Sequence, residues 1–386
     1  MFDPWPKLVR PECDQLLASV RAEQDLDRPA AVDRLRRLGD AELVAAAIEL
    51  VQARRRAEEK FPDTPALLAD VAAVEQATSA DVAAHKARRF AGAGVDRVVD
   101  LCCGMGGDAM GLAQVAEVLL VDSLPRRVCM ARWNVGQAGG RVAGAVVADA
   151  GRLRMADEAF HIDPDRRHGG RRLRFDNCRP GPDLIRRLVG SGAPGAVKLS
   201  PAVDLQELPP GEIEIIERAG RLVQAVLWTG SLARDRRSAT RVQGDRCVSF
   251  AGAADQVIPV APPGRLVLAV EAAIERAGLL GALCAATGLA AVHPALGLLT
   301  ADAAEQSPWY RRFELLDVLP WRPRKVKQWL EAHDGGIVDV KTRGQACEPD
   351  QVQRQLRGGG VQPFTVFVLR SDRRVQAWMT RRIEST

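Results

Sequence analysis

The cysteine spacings typical of metal sites and of disulfide-rich domains are absent from this sequence. Its eight cysteines form no CxxC pair and no cluster with histidine at the spacing of metal ligands. The pattern therefore predicts neither a zinc site nor the disulfide framework of a small secreted domain. We expect free thiols and no bound metal.

An export signal is also missing. The first residues, MFDPWPKLVRPECD, contain acids and prolines where a secretory signal requires an uninterrupted apolar core. A stretch of 25 residues, 277–301, contains no Asp, Glu, Lys or Arg and is long enough to span a bilayer. Its Ala, Gly and Leu content, with a break at His293-Pro294, favours a buried helix followed by a loop and a strand. We predict a cytoplasmic protein without a membrane span.

Excess positive charge is absent from the first 309 residues, which hold 39 basic and 40 acidic side chains. The net charge of +5 arises from residues 310–386, where fifteen Lys or Arg stand against nine Asp or Glu. This distribution predicts a polyanionic partner at the C-terminal part.

Hydrophobic periodicity divides the chain into three predicted domains. In residues 1–90, apolar residues recur every three or four positions, as between Leu43 and Leu50, which is typical of helices. Residues 91–308 contain the short apolar runs VDRVVDL, AEVLLVD, AGAVVAD, AFHID, GAVKLS and LVQAVLWTG. Helical or loop segments separate these runs, which predicts a Rossmann-like α/β fold whose ligand lies outside the carboxyl ends of parallel strands. Residues 309–386 predict a small α+β domain.

A glycine-rich turn follows the first predicted strand, in the sequence VVDLCCGMGGD. Gly104, Gly106 and Gly107 permit positive φ angles and let a ligand lie against bare backbone. The spacing Gly104-x-Gly106-x-x-Ala109 also satisfies the dinucleotide fingerprint, with Asp122 ending the next strand to hold ribose hydroxyls. The turn alone therefore leaves NAD and S-adenosylmethionine open as ligands.

The acid before the turn distinguishes these two ligands. The carboxylate of Asp100 would face the pyrophosphate of a dinucleotide without a compensating charge, whereas S-adenosylmethionine offers a positively charged ammonium there. Asp122 and Asp149 end the next two strands and extend the acidic edge. Charge complementarity thus favours S-adenosylmethionine. The predicted cofactor-binding residues are Asp100, Cys102, Gly104, Gly106, Gly107, Asp108, Asp122, Ser123, Asp149 and Ala150.

The fourth predicted strand ends at Asp163-Pro164, where many base-modifying methyltransferases carry an Asp/Asn-Pro-Pro-aromatic motif. The aromatic residue is absent here. Asp163 is predicted to orient the substrate or to accept its proton, and the alternative is a turn that only ends the strand. Lys198 and Ser200, at the end of the fifth strand, are predicted to line the same pocket, unless Lys198 is simply solvated. The predicted catalytic residues are Asp163, Pro164 and Lys198.

Five arginines lie between residues 166 and 174, next to the predicted catalytic residues. Because guanidinium groups bind phosphate in a bidentate manner, Arg166 and Arg167 are candidate RNA contacts together with Ser200. A solvated basic loop is the alternative. Four basic residues of the C-terminal part are further candidates for RNA binding: Arg322, Arg324, Lys325 and Lys327.

These segments together resemble the bacterial class I S-adenosylmethionine-dependent methyltransferases that carry a C-terminal THUMP-like domain. Upstream, RAEEKF at 56–61 and EQAT at 75–78 resemble that family's lead-in to its first strand. DLCCGMGGD, IDPDRR and VKLSP follow, and the tail contributes FELLDVLPWRPRKVKQW, VDVKTRG and FTVFVLR.

The resemblance implies a methyltransferase sheet between a helical N-terminal domain and a THUMP-like domain, with S-adenosylmethionine as cofactor. Because THUMP domains bind RNA, it also implies an RNA substrate, such as rRNA or tRNA. Two other functions stay open: methylation of a small molecule or protein, and RNA binding without catalysis by a protein that retains the fold.

Overall fold

The computed structural model describes residues 3–384 except 24, 27, 156, 166, 169, 170, 173, 174, 176, 177, 372 and 373. At residues 167, 168, 171 and 172 only the backbone is described. The chain forms two compact units. The first comprises Met1–Ala219, Val223–Arg234 and Arg241–Cys247, and the second comprises Gly220–Leu222, Asp235–Thr240 and Val248–Thr386.

Five α-helices precede the first strand. They are α1 (Asp14–Ala22), α2 (Pro29–Leu35), α3 (Ala41–Ala57), α4 (Val71–Gln76) and α5 (Ala80–Gly92). Asp40 begins α3 by accepting the N–H of Leu43 at 2.8 Å, and Asp70 begins α4 by accepting that of Ala73 at 2.7 Å. The apolar faces of these helices share one core with the sheet that follows. The predicted helical N-terminal segment is confirmed.

A nine-stranded sheet with three further helices follows. In chain order the elements are β1 (Arg97–Leu101), α6 (Gly107–Leu112), β2 (Glu117–Asp122), α7 (Pro125–Gln137), β3 (Val142–Val147), β4 (Ala159–Ile162), the two-residue strands β5 (Arg167–His168) and β6 (Arg171–Arg172), α8 (Pro182–Gly190), β7 (Gly195–Leu199), β8 (Glu212–Arg218), β9 (Arg221–Thr229), β10 (Arg237–Gln243) and β11 (Arg246–Gly252). β5 and β6 pair only with each other. The six predicted strands are present, whereas β8, β10 and β11 were not indicated by the sequence pattern.

The strand order β11-β10-β8-β9-β7-β4-β1-β2-β3 determines where a ligand binds. β1 pairs in parallel with β2 and β4, β2 with β3, and β4 with β7, whereas β9 runs antiparallel to β7. The carboxyl ends of the five parallel strands therefore lie along one edge. The chain order changes direction between β1 and β4, which is the topological switch point where α/β proteins bind ligands. The predicted Rossmann-like α/β fold is confirmed.

A seven-stranded sheet organises the second unit, with the order β13-β14-β12-β15-β18-β17-β16. Its elements are β12 (Leu266–Val270), α9 (Ala272–Ala277), α10 (Leu280–Thr287), β13 (Ala290–His293), β14 (Leu298–Ala301), β15 (Tyr310–Pro320), α11 (Pro323–Ala332), β16 (Gly335–Arg343), α12 (Pro349–Leu356), β17 (Gln362–Ser371) and β18 (Arg374–Arg382). The uncharged stretch 277–301 contains α10, β13 and β14, so the predicted helix is followed by two strands rather than by one. Within the described part of the chain, no helix has the length and apolar character needed to cross a membrane.

The long strand β15 connects two parts of this second sheet. Its first residues pair with β12, Tyr310 opposite Val270, and its later residues pair with β18, Pro320 opposite Gln376. Residues 266–301 therefore belong to the same sheet as 310–382, although hydrophobic periodicity grouped them with the central domain. The three-domain division of the sequence stays a prediction.

Candidate active site

The glycine-rich turn leaves β1 in a left-handed backbone conformation. Cys102, Gly104 and Gly106 have φ angles of 58°, 56° and 86°. A Cβ atom at Gly104 would meet no atom within 4 Å, whereas one at Gly106 would lie 3.0 Å from the Cα of Ala131 on α7. One at Gly107 would lie 3.1 Å from Thr78. Gly104 therefore presents bare backbone to open space, and the other two glycines permit close packing.

Asp122 holds this turn at the end of β2. Its Oδ2 accepts the N–H of Gly104 at 3.0 Å, and its Oδ1 accepts the N–H of Leu124 at 3.0 Å. A carboxylate oxygen has a second lone pair, so both oxygens can still accept from ribose hydroxyls. Ser123, the next residue, is exposed.

Asp149 and Ala150 follow the third strand. The side chain of Asp149 is half exposed and accepts the N–H of Gly151 at 2.9 Å, which begins a short 3-10 turn. Ala150, the first residue of that turn, is buried. Asp149 is thus placed at the same sheet edge as Asp122, with its carboxylate accessible.

The charges of four carboxylates act on the thiol of Cys102. Burial raises the pKa of this thiol most, and the charges of Asp122, Asp163, Asp100 and Asp149 raise it further. A thiol in this environment is not a nucleophile, because only the thiolate attacks. The same negative field favours a cationic ligand and opposes the pyrophosphate of a dinucleotide. A sulfonium and an ammonium group, as in S-adenosylmethionine, fit this edge of the sheet.

Asp100 is buried within the sheet rather than exposed at its edge. Its Oδ1 lies 2.7 Å from Nδ1 of His161 on β4. Its Oδ2 is completely buried and has no hydrogen-bond partner among the described residues. Burial raises the pKa of Asp100, and His161 opposes that shift. A contact of Asp100 with the cofactor ammonium stays a prediction.

The acceptor side is built on the ends of β4 and β7. Asp163 follows β4, and its side chain is 27% exposed. Lys198 on β7 is almost completely buried, and its Nζ lies 2.6 Å from Oδ2 of Asp163. The carbonyl of Gln76, at the end of α4, accepts from the same ammonium at 3.3 Å. The structure therefore brings together Asp163 and Lys198, two of the three residues that the sequence predicted to be catalytic.

The other predicted substrate residues are more dispersed. Pro164 is buried behind Asp163. Ser200 accepts the N–H of Ala202 at 3.2 Å in a turn and has no described contact with Asp163. Arg166 and the side chain of Arg167 lie outside the described residues.

In the second unit, the predicted basic residues are exposed on the first turns of α11 or just before it. They are Arg322, Arg324, Lys325 and Lys327.

Asp108, which the sequence predicted to bind the cofactor, lies in the protein interior, and its contact with the cofactor stays a prediction. It is buried on α6, where Lys86 forms an ion pair with Oδ1 and the hydroxyl of Thr78 donates to Oδ2 at 2.8 Å. Burial raises its pKa, but the charge of Lys86, reinforced by that of Lys198, outweighs that effect and holds the pKa below its usual value. Asp108 thus lies at the centre of a buried ionic cluster adjoining the site.

Sequence reasoning missed Lys86, Thr78 and His161. A signal existed for Lys86, because it falls in the buried stripe of α5 between Ala83 and Ala87, where a core helix rarely has a lysine. His161 lies in the fully buried strand β4, which is a comparable signal. No group of three or more His, Cys, Asp or Glu arranged for a metal occurs in the described ranges.

Comparisons with known proteins agree with this geometry. The THUMP domain-like family profile matches residues 310–382. Two relatives from Mycobacterium tuberculosis, strains CDC 1551 / Oshkosh and H37Rv, are each named an uncharacterized S-adenosylmethionine-dependent methyltransferase. Each is 34% identical over 308 residues, which cover 77% of this chain and 83% of the relative.

A solved structure shows the same fold over the whole chain. A Porphyromonas gingivalis W83 protein, described as a methyltransferase, aligns with 98% of this chain and 97% of its own at a TM-score of 0.74 and 18% identity. The cofactor is S-adenosylmethionine. The chain belongs to the S-adenosylmethionine-dependent methyltransferases and carries a THUMP-like domain at its C-terminus.

Proposed function

We propose that this enzyme methylates RNA and that Asp163 holds the accepting group. The observation that carries the proposal is the pair of Asp163 and Lys198, 2.6 Å apart at adjacent strand ends beside the glycine-rich turn. Oδ2 of Asp163 is bound by the ammonium, while Oδ1 has no hydrogen bond among the described residues. A fixed carboxylate with one available oxygen is suited to accept a hydrogen bond from an N–H or O–H nucleophile.

Each residue on the cofactor side binds a different part of S-adenosylmethionine. When bound, the cofactor supplies a methyl group already activated on a sulfonium sulfur. Asp122 accepts from the ribose hydroxyls, the backbone of Gly104 lies against the cofactor, and Asp149 accepts from the adenine amino group. Asp163 orients the acceptor and takes the proton that it loses. Catalysis then depends mainly on positioning.

The second unit supports RNA as the acceptor. Lys325, Trp329 and His333 are spaced by four residues and therefore share one side of α11, and Arg322 lies just before the helix. The rings of Trp329 and His333 stack with centroids 3.8 Å apart and planes 13° apart. His333 is exposed, whereas Trp329 is half-buried and packs edge-on against Phe364. Basic groups beside accessible aromatic rings bind the phosphates and bases of single-stranded nucleic acid. We assign this side of α11 to RNA binding.

Methyl transfer from labelled S-adenosylmethionine to total RNA tests the proposal. The RNA is taken from a strain that lacks the gene, so that its target positions are unmodified, and one missing methylated nucleoside by mass spectrometry names the chemistry. Asp163→Asn should abolish transfer while cofactor affinity is retained. Asp183→Asn is the matched control, because that side chain is 86% exposed on α8. Label that resists nuclease but not protease would refute RNA in favour of a protein acceptor.

A further inference from the structure

A series of buried polar contacts connects the helical N-terminal segment to Asp163. Lys86 on α5 is 1% exposed and forms an ion pair with Asp108 on α6. Thr78, in the loop before α5, donates its hydroxyl to Oδ2 of Asp108 at 2.8 Å. Lys198 lies 3.8 Å from that same oxygen and holds Asp163 at 2.6 Å. The carboxylate that orients the acceptor is thus linked to residues 78 and 86.

The ammonium of Lys198 is surrounded on its buried side. Asp108 and the carbonyl of Gln76 lie there, and Asp163 is the partner that reaches solvent. A lysine has a long, flexible stem, so its ammonium stays directed at one carboxylate only when the other contacts hold it. Loss of order at Asp108 would therefore be transmitted to Asp163.

His161 completes the cluster on its inner side. Its Nε2 lies 3.2 Å from Nζ of Lys86, and its Nδ1 lies 2.7 Å from Oδ1 of Asp100. Both contacts are satisfied when Nε2 accepts from the ammonium and Nδ1–H donates to the carboxylate. The orientation of Lys86 is therefore fixed from two sides.

Stability alone does not account for this arrangement. Buried ion pairs are often no more stabilising than apolar side chains of the same size. Here two lysines and two aspartates, with His161 and Asp100 beside them, occupy the interior next to the candidate site. Buried charge clusters that adjoin a reaction site serve to hold its reactive groups in place.

We propose that Thr78 and Lys86 are positioning residues for methyl transfer. They fix Asp108, which fixes the ammonium of Lys198 and through it the carboxylate of Asp163. The N-terminal helical segment is thereby part of the active site and not a separate domain. The inference rests on the role proposed above for Asp163.

Two substitutions at Thr78 separate positioning from packing. Thr78→Val keeps the shape and removes the hydroxyl, whereas Thr78→Ser keeps the hydroxyl and removes the methyl group. With total RNA from the deletion strain as acceptor, Thr78→Val should lower kcat about tenfold, the loss expected for a hydrogen bond to a charged group. KM for RNA and Kd for S-adenosylmethionine should not change, and Thr78→Ser should stay within about twofold of wild type.

A matched control is Thr229→Val, which removes another buried hydroxyl, bonded to the carbonyl of Ala193 at 2.9 Å. It should leave kcat unchanged. Wild-type kcat in Thr78→Val, or an equal loss in Thr78→Ser, would overturn the inference.

A second measurement keeps the inference testable if wild-type protein transfers no methyl group to RNA. That result would refute the proposed function. The mobility of the Lys198 side chain can still be measured, from the rate at which its amine is chemically modified. Acetylation of its amine by N-acetoxysuccinimide, followed by mass spectrometry, should be faster in Thr78→Val than in wild type or Thr78→Ser. Equal rates in all three proteins would reject the positioning role.

Discussion

Replacement of Lys86 by methionine tests the charge balance under the site. Met has nearly the length of Lys but no ammonium, so the substitution leaves the shape of α5 intact. Asp108, 6% exposed, then keeps the hydroxyl of Thr78 at 2.8 Å and the more distant ammonium of Lys198 at 3.8 Å. Its principal counter-ion is lost.

The expected cost follows from this loss. Removing one partner of a buried ion pair destabilises a protein by about 3–5 kcal/mol, because the other charge stays buried. Since Lys198 compensates in part, we expect the lower end, about 3 kcal/mol, or roughly 6–12 °C in Tm for a unit of this size. The double variant Lys86→Met/Asp108→Asn removes both charges and should recover at least about half of the loss.

Hydrogen exchange measured by mass spectrometry is the appropriate assay. Two compact units need not unfold together, so a single denaturation curve does not report on either alone. Peptides from α5 and β1 report on the cluster, and peptides from β17 in the second unit serve as the internal reference. A change below about 1 kcal/mol, or a double variant as unstable as Lys86→Met, would refute the reasoning.

Other regions give independent predictions. Asp122→Asn should raise the Kd for S-adenosylmethionine about 10- to 100-fold by calorimetry, because one oxygen that accepts a backbone N–H becomes a donor; an unchanged Kd would contradict the cofactor site. Burial lowers the pKa of His85, but hydrogen bonds to Cys247 and Glu214 raise it from 6.5 to about 9. Its stabilising effect is therefore complete below pH 6.5 and is lost as the pH rises through about 9. The free energy of opening of α5, measured by hydrogen exchange, should fall more steeply over that interval in wild type than in His85→Gln, and equal slopes would exclude this effect. Lys325→Gln should weaken RNA binding and reduce the salt dependence of log K by about one, with identical salt slopes arguing against a phosphate contact.

Local patterns in the sequence predicted the helical N-terminal segment and six strands of the first sheet. The run VVDL before CCGMGGD predicted β1 and its turn, because glycine spacing and strand alternation depend only on neighbouring residues. The strand-end position of Asp163 followed from the same reasoning, since parallel strands present their carboxyl ends at one edge. The apolar periodicity of the N-terminal segment likewise predicted its helices.

Local patterns did not predict which residues distant along the chain would be in contact. Lys86 and His161 are 75 residues apart and meet only when α5 packs on the sheet. Apolar periodicity can indicate which side of a helix is buried, but it contains no information about the charge that a buried lysine meets. The pairing of β12 with β15 is a similar case, because a strand pattern does not specify which sheet the strand joins.

The sequence by itself determined the glycine-rich turn, the acidic strand ends and the basic C-terminal part, because each is a property of consecutive residues. Tertiary structure alone decided that Asp122 accepts the N–H of Gly104 in the turn as well as that of Leu124, and that Asp108 is a buried anion paired with Lys86, while its contact with the cofactor stays a prediction. The physical reason is that a carboxylate's role depends on burial and on its counter-ions, and both are set by chain segments that folding brings together.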